Sequence, residues 1–280
     1  MFFLVEDSLV FNLNYQKKNL FILYKMNFLW CLGYYFSLKL KQISLRTLQI
    51  KFSLTLILMN PDLYSFNRKN QDIYLTPKKE KHTDTLVFLH GLGDTADGWV
   101  DLFLSEMNPC PQSTKIILLT APIASVTANM GYKMPSWYDI KEWGAKDRDF
   151  DRTIGRDEVD SNAERIKAVL NHEIEILKGE SRNVLIGGFS QGAAMSLHTG
   201  LGYQMPLGGI LSWSGYLFPF TKISKENENV PVFISHGLDD NVVDYKMSET
   251  SFKRLDASKH QITKVIEKGL EHSVTDRIIR

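Results

Sequence analysis

Residues 183–199 read NVLIGGFSQGAAMSLHT, and this stretch decides the fold. A short apolar run, Val184, Leu185 and Ile186, enters a glycine-bounded serine, Gly188-Phe189-Ser190-Gln191-Gly192, and a run of good helix formers leaves it. That order predicts strand, sharp turn, helix. Glycines two residues either side of a serine suit a turn in which the chain crosses itself closely, and the hydroxyl is left exposed at its tip. A G-x-S-x-G match arises by chance in about one chain of this length in ten. The flanks therefore carry the weight, because a merely solvated serine in a glycine-rich turn predicts neither the strand before nor the helix after.

Outward from this turn the same texture repeats. Continuous apolar runs at 85–89, 116–119, 209–213, 230–235 and 261–266 read as buried strands, with helices expected at 99–107, 161–177 and 243–255. Strands of that kind, alternating with helices, predict an α/β fold: a mostly parallel central sheet with helices on both faces. Residues 72–75 read as a short edge strand, and 123–160 as a long irregular loop, which in a compact domain usually serves function.

Composition bounds the rest. The 280 residues are 44% hydrophobic, enough for a full core, and the net charge is +1. Residues 1–59 hold seven basic side chains against Glu6 and Asp7, a surplus of +5 that leaves −4 for the remainder. No basic face of the kind a nucleic-acid binder needs is present there. Two isolated cysteines, Cys31 and Cys110, make neither a disulfide framework nor a metal motif, so a reducing, cytoplasmic setting is expected. We divide the chain into an extension, 1–59, and a catalytic domain, 60–280. The longest uncharged run of the extension, 26–38, is shorter than the roughly 20 residues of a membrane span. The extension reads as a basic membrane-associating segment, a targeting segment of unusual make-up, or a stretch absent from the mature protein with Met59 as the start; composition favours the last. Cys31 is a site for a reversible acyl chain on the first reading and a plain apolar residue otherwise.

Function in open α/β sheets sits in loops past the carboxyl ends of strands. Four such segments end in polar residues: His90 to Asp94, Ser190, Asp239 with Asp240, and His272. A serine hydroxyl is a poor nucleophile until a base takes its proton, and the base needs a carboxylate to hold its tautomer and stabilise its cation. Ser190, an aspartate and His272 stand in the chain order serine, acid, histidine. Asp239 and Asp240 both fit the acid, with Asp244 a weaker third, and the aspartate not used is expected to cap the turn. His236, directly after its strand, reads as a packing or backbone-bonding residue. An oxyanion hole needs two N–H donors. The amide of Gln191, at a helix N-terminus, and one from Gly91-Leu92-Gly93 are the candidates.

The segments FLHGLGD (88–94), PSWYD (135–139), GGFSQGA (187–193), HGLDD (236–240) with Val243, and EHS (271–273) together resemble the acyl-protein thioesterase/lysophospholipase (phospholipase/carboxylesterase) family of α/β-hydrolases. The resemblance runs from about residue 70 to the C-terminus. It implies that Ser190 is the nucleophile, Asp240 the acid and His272 the base, that the Leu92 and Gln191 amides form the oxyanion hole, and that Trp137 is the active-site loop tryptophan. An acyl groove is expected near Leu92, Trp137, Ile123 and Val242. The implied reaction is hydrolysis of fatty-acyl thioesters on protein cysteines through an acyl-serine, with no metal and no cofactor. Lysophospholipids or general carboxylic esters are the alternative substrates, and a non-catalytic binding protein on the same fold is the remote one. The expected partners are thus S-acylated proteins or lysophospholipids, with peripheral membrane association compatible and nucleic acid excluded. Departures from the family are a short stretch after His272, a charged 141–160 segment and the extension.

Overall fold

A computed structural model describes residues 4–5, 8–15, 18–25, 62–143, 150–257 and 261–279. The chain divides into two units, Met1–Ser53 and Leu54–Arg280. In the first, strands β1 (Leu4–Val5), β2 (Ser8–Tyr15) and β3 (Lys18–Lys25) pair antiparallel in sequence order. The boundary at 59/60, the 26–38 run with Cys31, and Met59 lie outside the described residues. No helix among the described residues is long and apolar enough to cross a membrane.

The second unit opens with β4 (Tyr64–Lys69), β5 (Asp72–Pro77), β6 (Asp84–Leu89), α1 (Asp97–Leu104) and β7 (Thr114–Leu119). A hairpin of β8 (Ile123–Val126) and β9 (Tyr132–Pro135) precedes α2 (Phe150–Thr153) and α3 (Arg156–Ile176). Then come β10 (Val184–Phe189), α4 (Gln191–Leu201), β11 (Gly209–Trp213), β12 (Val232–Gly237), α5 (Tyr245–Ala257), β13 (Ile262–Glu267) and α6 (Asp276–Ile279). The sheet runs β13-β12-β11-β10-β6-β7-β5-β4. Its strands from β13 to β7 are parallel, and β5 and β4 add an antiparallel edge.

The apolar strands are buried on both faces, as expected for a covered parallel sheet. Val87 and Leu89 of β6 join residues of α3, α4 and α5 in one core, while Leu86 and Phe88 join α1 and α6 in the other. Strand order reverses between β6 and β10, so the loops leaving these two strands meet at the carboxyl end of the sheet. That is where a doubly wound sheet opens a crevice.

Three expectations are corrected. Residues 72–75 belong to a longer strand, β5, which is not the edge: β4 covers it, although only Tyr64 of β4 is buried and its exposed run carries no apolar periodicity. The 123–160 segment is not irregular, for it holds the β8–β9 hairpin, α2 and the start of α3. Helix α3 begins at Arg156, not after Asp160-Ser161, because Asp157 and Glu158 occupy its first turn, where acidic groups favour the helix dipole, and Val159 is already core. The helix is then tied down by Arg165, whose Nη2 meets both Asp72 carboxylate oxygens at 2.8 and 2.9 Å, and by Glu173, fully buried with Lys115 Nζ at 2.6 Å.

His198, in the last turn of α4, lies 2.9 Å from Thr221 Oγ1 and edge-on to Phe218 and Phe220. Burial, offset only in part by Asp160 at 3.9 Å, pushes its pKa down to about 4. The unfolded chain takes up this proton near pH ~6.5 and the folded chain near pH ~4, so stability falls as pH drops through that window. Urea unfolding of wild type and His198→Gln between these limits should show wild type losing up to ~3 kcal/mol more than the variant.

Candidate active site

Ser190 sits between β10 and α4 with φ 56° and ψ −119°, a backbone conformation that L residues rarely adopt. Such strain persists only when the surroundings over-determine it. Here its amide donates to the Trp213 carbonyl at 2.8 Å, and both flanking glycines are pressed against backbone. A Cβ on Gly192 would fall 2.2 Å from the Leu89 carbonyl oxygen, and one on Gly188 would fall 2.6 Å from the Gly192 carbonyl. Only glycine fits either place.

The loop leaving β6 packs on this elbow. His90 is buried, with Nδ1 donating to the Gly91 carbonyl at 2.6 Å and Nε2 accepting from the Ala121 amide at 2.9 Å. Burial lowers its pKa, and the two bonds define a neutral tautomer. Gly93, at φ 79°, turns the chain so that its amide meets the Pro135 carbonyl at 2.9 Å. The amides of Leu92 and Gln191 donate to no group among the described residues, and both residues line the cleft above Ser190.

His272, in the loop after β13, bridges Ser190 and Asp240. Ser190 Oγ lies 2.9 Å from its Nε2, and Asp240 Oδ2 lies 2.7 Å from its Nδ1. The serine hydroxyl donates to Nε2 and Nδ1–H donates to the carboxylate. Of the adjacent aspartates it is Asp240 that is buried and faces the histidine, whereas Asp239 is exposed. The expected division of labour does not hold, since Asp240 also caps the turn: its Oδ1 accepts the amides of Val242 and Val243 at 2.9 and 2.8 Å. Burial alone would raise the Asp240 carboxyl, but hydrogen bonds from His236, His272 and the Val243 amide hold it well below the usual carboxylate range.

The cleft over these groups has a volume of about 310 Å³ and a mainly apolar lining that includes Leu92, Tyr138, Ile140, Ile154 and Met247. Val242 stands at it with its side chain largely exposed. Two expected groove residues are not brought there. Ile123 lies exposed on β8, away from the cleft lining. Trp137 is fully buried: its Nε1 donates to the His90 carbonyl at 2.8 Å, its amide to Gln191 Oε1 at 2.8 Å, and its carbonyl accepts Asn162 Nδ2 at 2.7 Å. It is a strut between the loop leaving β6 and the start of α4, and it is not among the residues that line the cleft. Its neighbour Tyr138, equally buried, borders the cleft, its hydroxyl 2.6 Å from that of Tyr216. Sequence reasoning also missed the Gln191 side chain, which is buried and donates from Nε2 to Ser136 Oγ and the Tyr138 carbonyl. One residue thus offers its amide to the cleft and its side chain to the loop beside it. Cys110 stays outside this chemistry, with burial pushing its thiol up to about 12.

A parallel sheet with a strained serine elbow after central β10, and the loops bearing Leu92, Asp240 and His272 after β6, β12 and β13, is the architecture of an α/β-hydrolase. Solved structures agree: Arabidopsis thaliana SOBER1 matches with a TM-score of 0.62 at 27% identity, covering 70% of this chain and 93% of that one. Zea mays acyl-protein thioesterase 2 matches with a TM-score of 0.60 at 26% identity, over 75% and 95% of the two chains. Within that class the chain belongs to the phospholipase/carboxylesterase family, which it matches over residues 70–280. It is 36% identical over 202 residues to acyl-protein thioesterase 1 homolog 1 of Dictyostelium discoideum, covering 71% of this chain and 87% of that protein. To acyl-protein thioesterase 1 of Yarrowia lipolytica it is 35% identical over 213 residues, covering 70% and 88%.

The elbow makes a direct test. Gly192→Ala, whose methyl would strike strand backbone, should cost about 3 kcal/mol in urea unfolding, at the upper end of overpacking. Gly179→Ala, in open space at φ 91°, should cost only about 1 kcal/mol.

Proposed function

We propose that this family hydrolase cleaves fatty-acyl thioesters from S-acylated protein cysteines, with Ser190, His272 and Asp240 as its catalytic triad. The observation that carries the reading is the unbroken chain Asp240–His272–Ser190, at 2.7 and 2.9 Å, opening into an apolar cleft. In the first step Ser190 Oγ attacks the acyl carbonyl as its proton passes to His272 Nε2. The resulting imidazolium is stabilised by Asp240, whose hydrogen bonds keep it ionised. The Leu92 and Gln191 amides receive the oxyanion, so no donor has to be recruited as charge develops.

Collapse of the tetrahedral species breaks the carbon–sulfur bond and leaves Ser190 acylated. A thiolate needs less help from the His272 proton than an alkoxide, because a thiol's pKa is about 8.5. The thiolate leaves with the His272 proton; water then gives its proton to the freed His272 and its oxygen to the acyl carbon, and collapse of this second tetrahedral species returns the proton to Ser190 Oγ as the fatty acid departs. The apolar wall of Ile140, Ile154 and Met247 suits a hydrocarbon chain, whose burial contributes about 0.8 kcal/mol per methylene. The names of the relatives point to the same substrates.

The test uses a fluorophosphonate probe and three substrate sets: long-chain acyl-cysteine peptides, lysophospholipids and short esters. Wild type should be labelled, Ser190→Ala should not, and kcat/KM should be highest on the long-chain thioester. A preference for lysophospholipid would replace the substrate assignment with the alternative one. Absence of labelling in wild type would overturn the catalytic reading itself.

A further inference from the structure

The histidine of the 236–240 segment does more than pack. His236 is fully buried at the end of β12, and its Nε2 lies 2.8 Å from the Val243 carbonyl oxygen and 3.3 Å from Asp240 Oδ2. A carbonyl can only accept, so Nε2 carries a hydrogen that it gives to Val243, and that N–H stands beside Asp240 Oδ2. On the other side of the ring Nδ1 lies 2.9 Å from Ser248 Oγ on α5, whose single hydroxyl hydrogen is shared between Nδ1 and the Gly215 carbonyl after β11. His236 is thus gripped from α5 and presses its N–H against the same carboxylate oxygen that receives His272.

We infer that His236 is a positioning residue, a second histidine that holds the Asp240 carboxylate in register with His272. The inference rests on the triad reading above. Asp240 stands on the turn beyond β12, not on the strand, and its own amide has only a long 3.4 Å contact to the Gly237 carbonyl. What fixes its side chain is the pair of amides on Oδ1 and the His236 N–H beside Oδ2. The strand supplies the rigid base. His236 pairs in register with Ile266 of β13, and a Cβ on Gly237 would fall 2.0 Å from the Leu270 carbonyl oxygen, so β12 and the loop that bears His272 are pressed together. The His236–Val243 and Asp240–Val243 bonds make 236, 240 and 243 one hydrogen-bonded unit. Without the N–H on Oδ2 the carboxylate gains freedom to turn, and His272 loses part of what orients it. Substrate contacts are untouched, because His236 is not among the residues that line the cleft.

His236→Gln sets an amide N–H near the place of Nε2, while His236→Asn reaches only to the place of Nδ1. In the full chain, His236→Asn should lower kcat on an acyl thioester about ten- to hundredfold with KM unmoved, the worth of one hydrogen bond to a charged group. His236→Gln should restore kcat to within a few-fold. The far-downfield proton resonance of the His272–Asp240 hydrogen bond should shift in the Asn variant and return in the Gln variant. Equal losses in both variants, an unchanged kcat in His236→Asn, or an unmoved resonance would overturn the inference. Should His236→Asn fail to fold, Ser248→Ala, which frees the other ring nitrogen, is expected to lower kcat with KM unmoved, and an unchanged kcat there would overturn it equally. The resonance is read without turnover, so a protein that hydrolyses no ester would count against the proposed function and leave the role of His236 to be judged on the spectrum.

Discussion

The close approach of Gly192 to the Leu89 carbonyl is the constraint on which the rest of the site depends. A helix that starts this near to a neighbouring strand leaves no room for the connecting residue to relax, so Ser190 is held at φ 56° by backbone on both sides. Three consequences follow from one contact. The hydroxyl projects from the tip of the turn, the Gln191 amide is freed at the helix N-terminus, and the loop leaving β6 is drawn against the elbow. The proposed nucleophile and oxyanion donors are therefore set by the sheet, which is what electrostatic preorganisation requires.

Around that fixed point Asp240 and His272 stand on turns, and the fold compensates with polar side chains reaching across from other elements. Gln191 and Asn162 pin the backbone at Trp137, while Trp137 pins His90. On the far side His236, Ser248 and the Val243 amide surround Asp240. Buried polar groups of this kind stabilise little if only partly satisfied, and here each is bonded to a defined partner. The cleft is left between two rigid flanks, its floor polar at Ser190 and His272 and its walls apolar.

The residues proposed to carry the chemistry were legible because backbone crowding within a few residues dictates their local sequence. Glycines flanking a serine, or a His-Gly pair at the end of an apolar run, are the direct imprint of such crowding. What escaped the sequence was decided by partners far along the chain. Trp137 looks like a substrate contact until Gln191, 54 residues on, and His90, 47 residues back, are seen to bury it. The edge strand β4 was missed because its exposed residues follow no apolar rhythm, and it pairs with β5 through the backbone ladder and a bond from Ser65 Oγ to the Thr76 carbonyl. The choice between Asp239 and Asp240 was open on spacing, since adjacent side chains point apart and only the fold shows which one His272 meets.

The proposed chemistry stands on an acyl group passing through Ser190. Rapid quenching of the full chain with a long-chain acyl-cysteine peptide, followed by peptide mass analysis, reads that event directly. A transient mass increase equal to the acyl group is expected on the peptide carrying Ser190, formed with release of free thiol and decaying as fatty acid appears. Steady release of fatty acid with no adduct on that peptide at any quench time, or an adduct on a different residue, would contradict it.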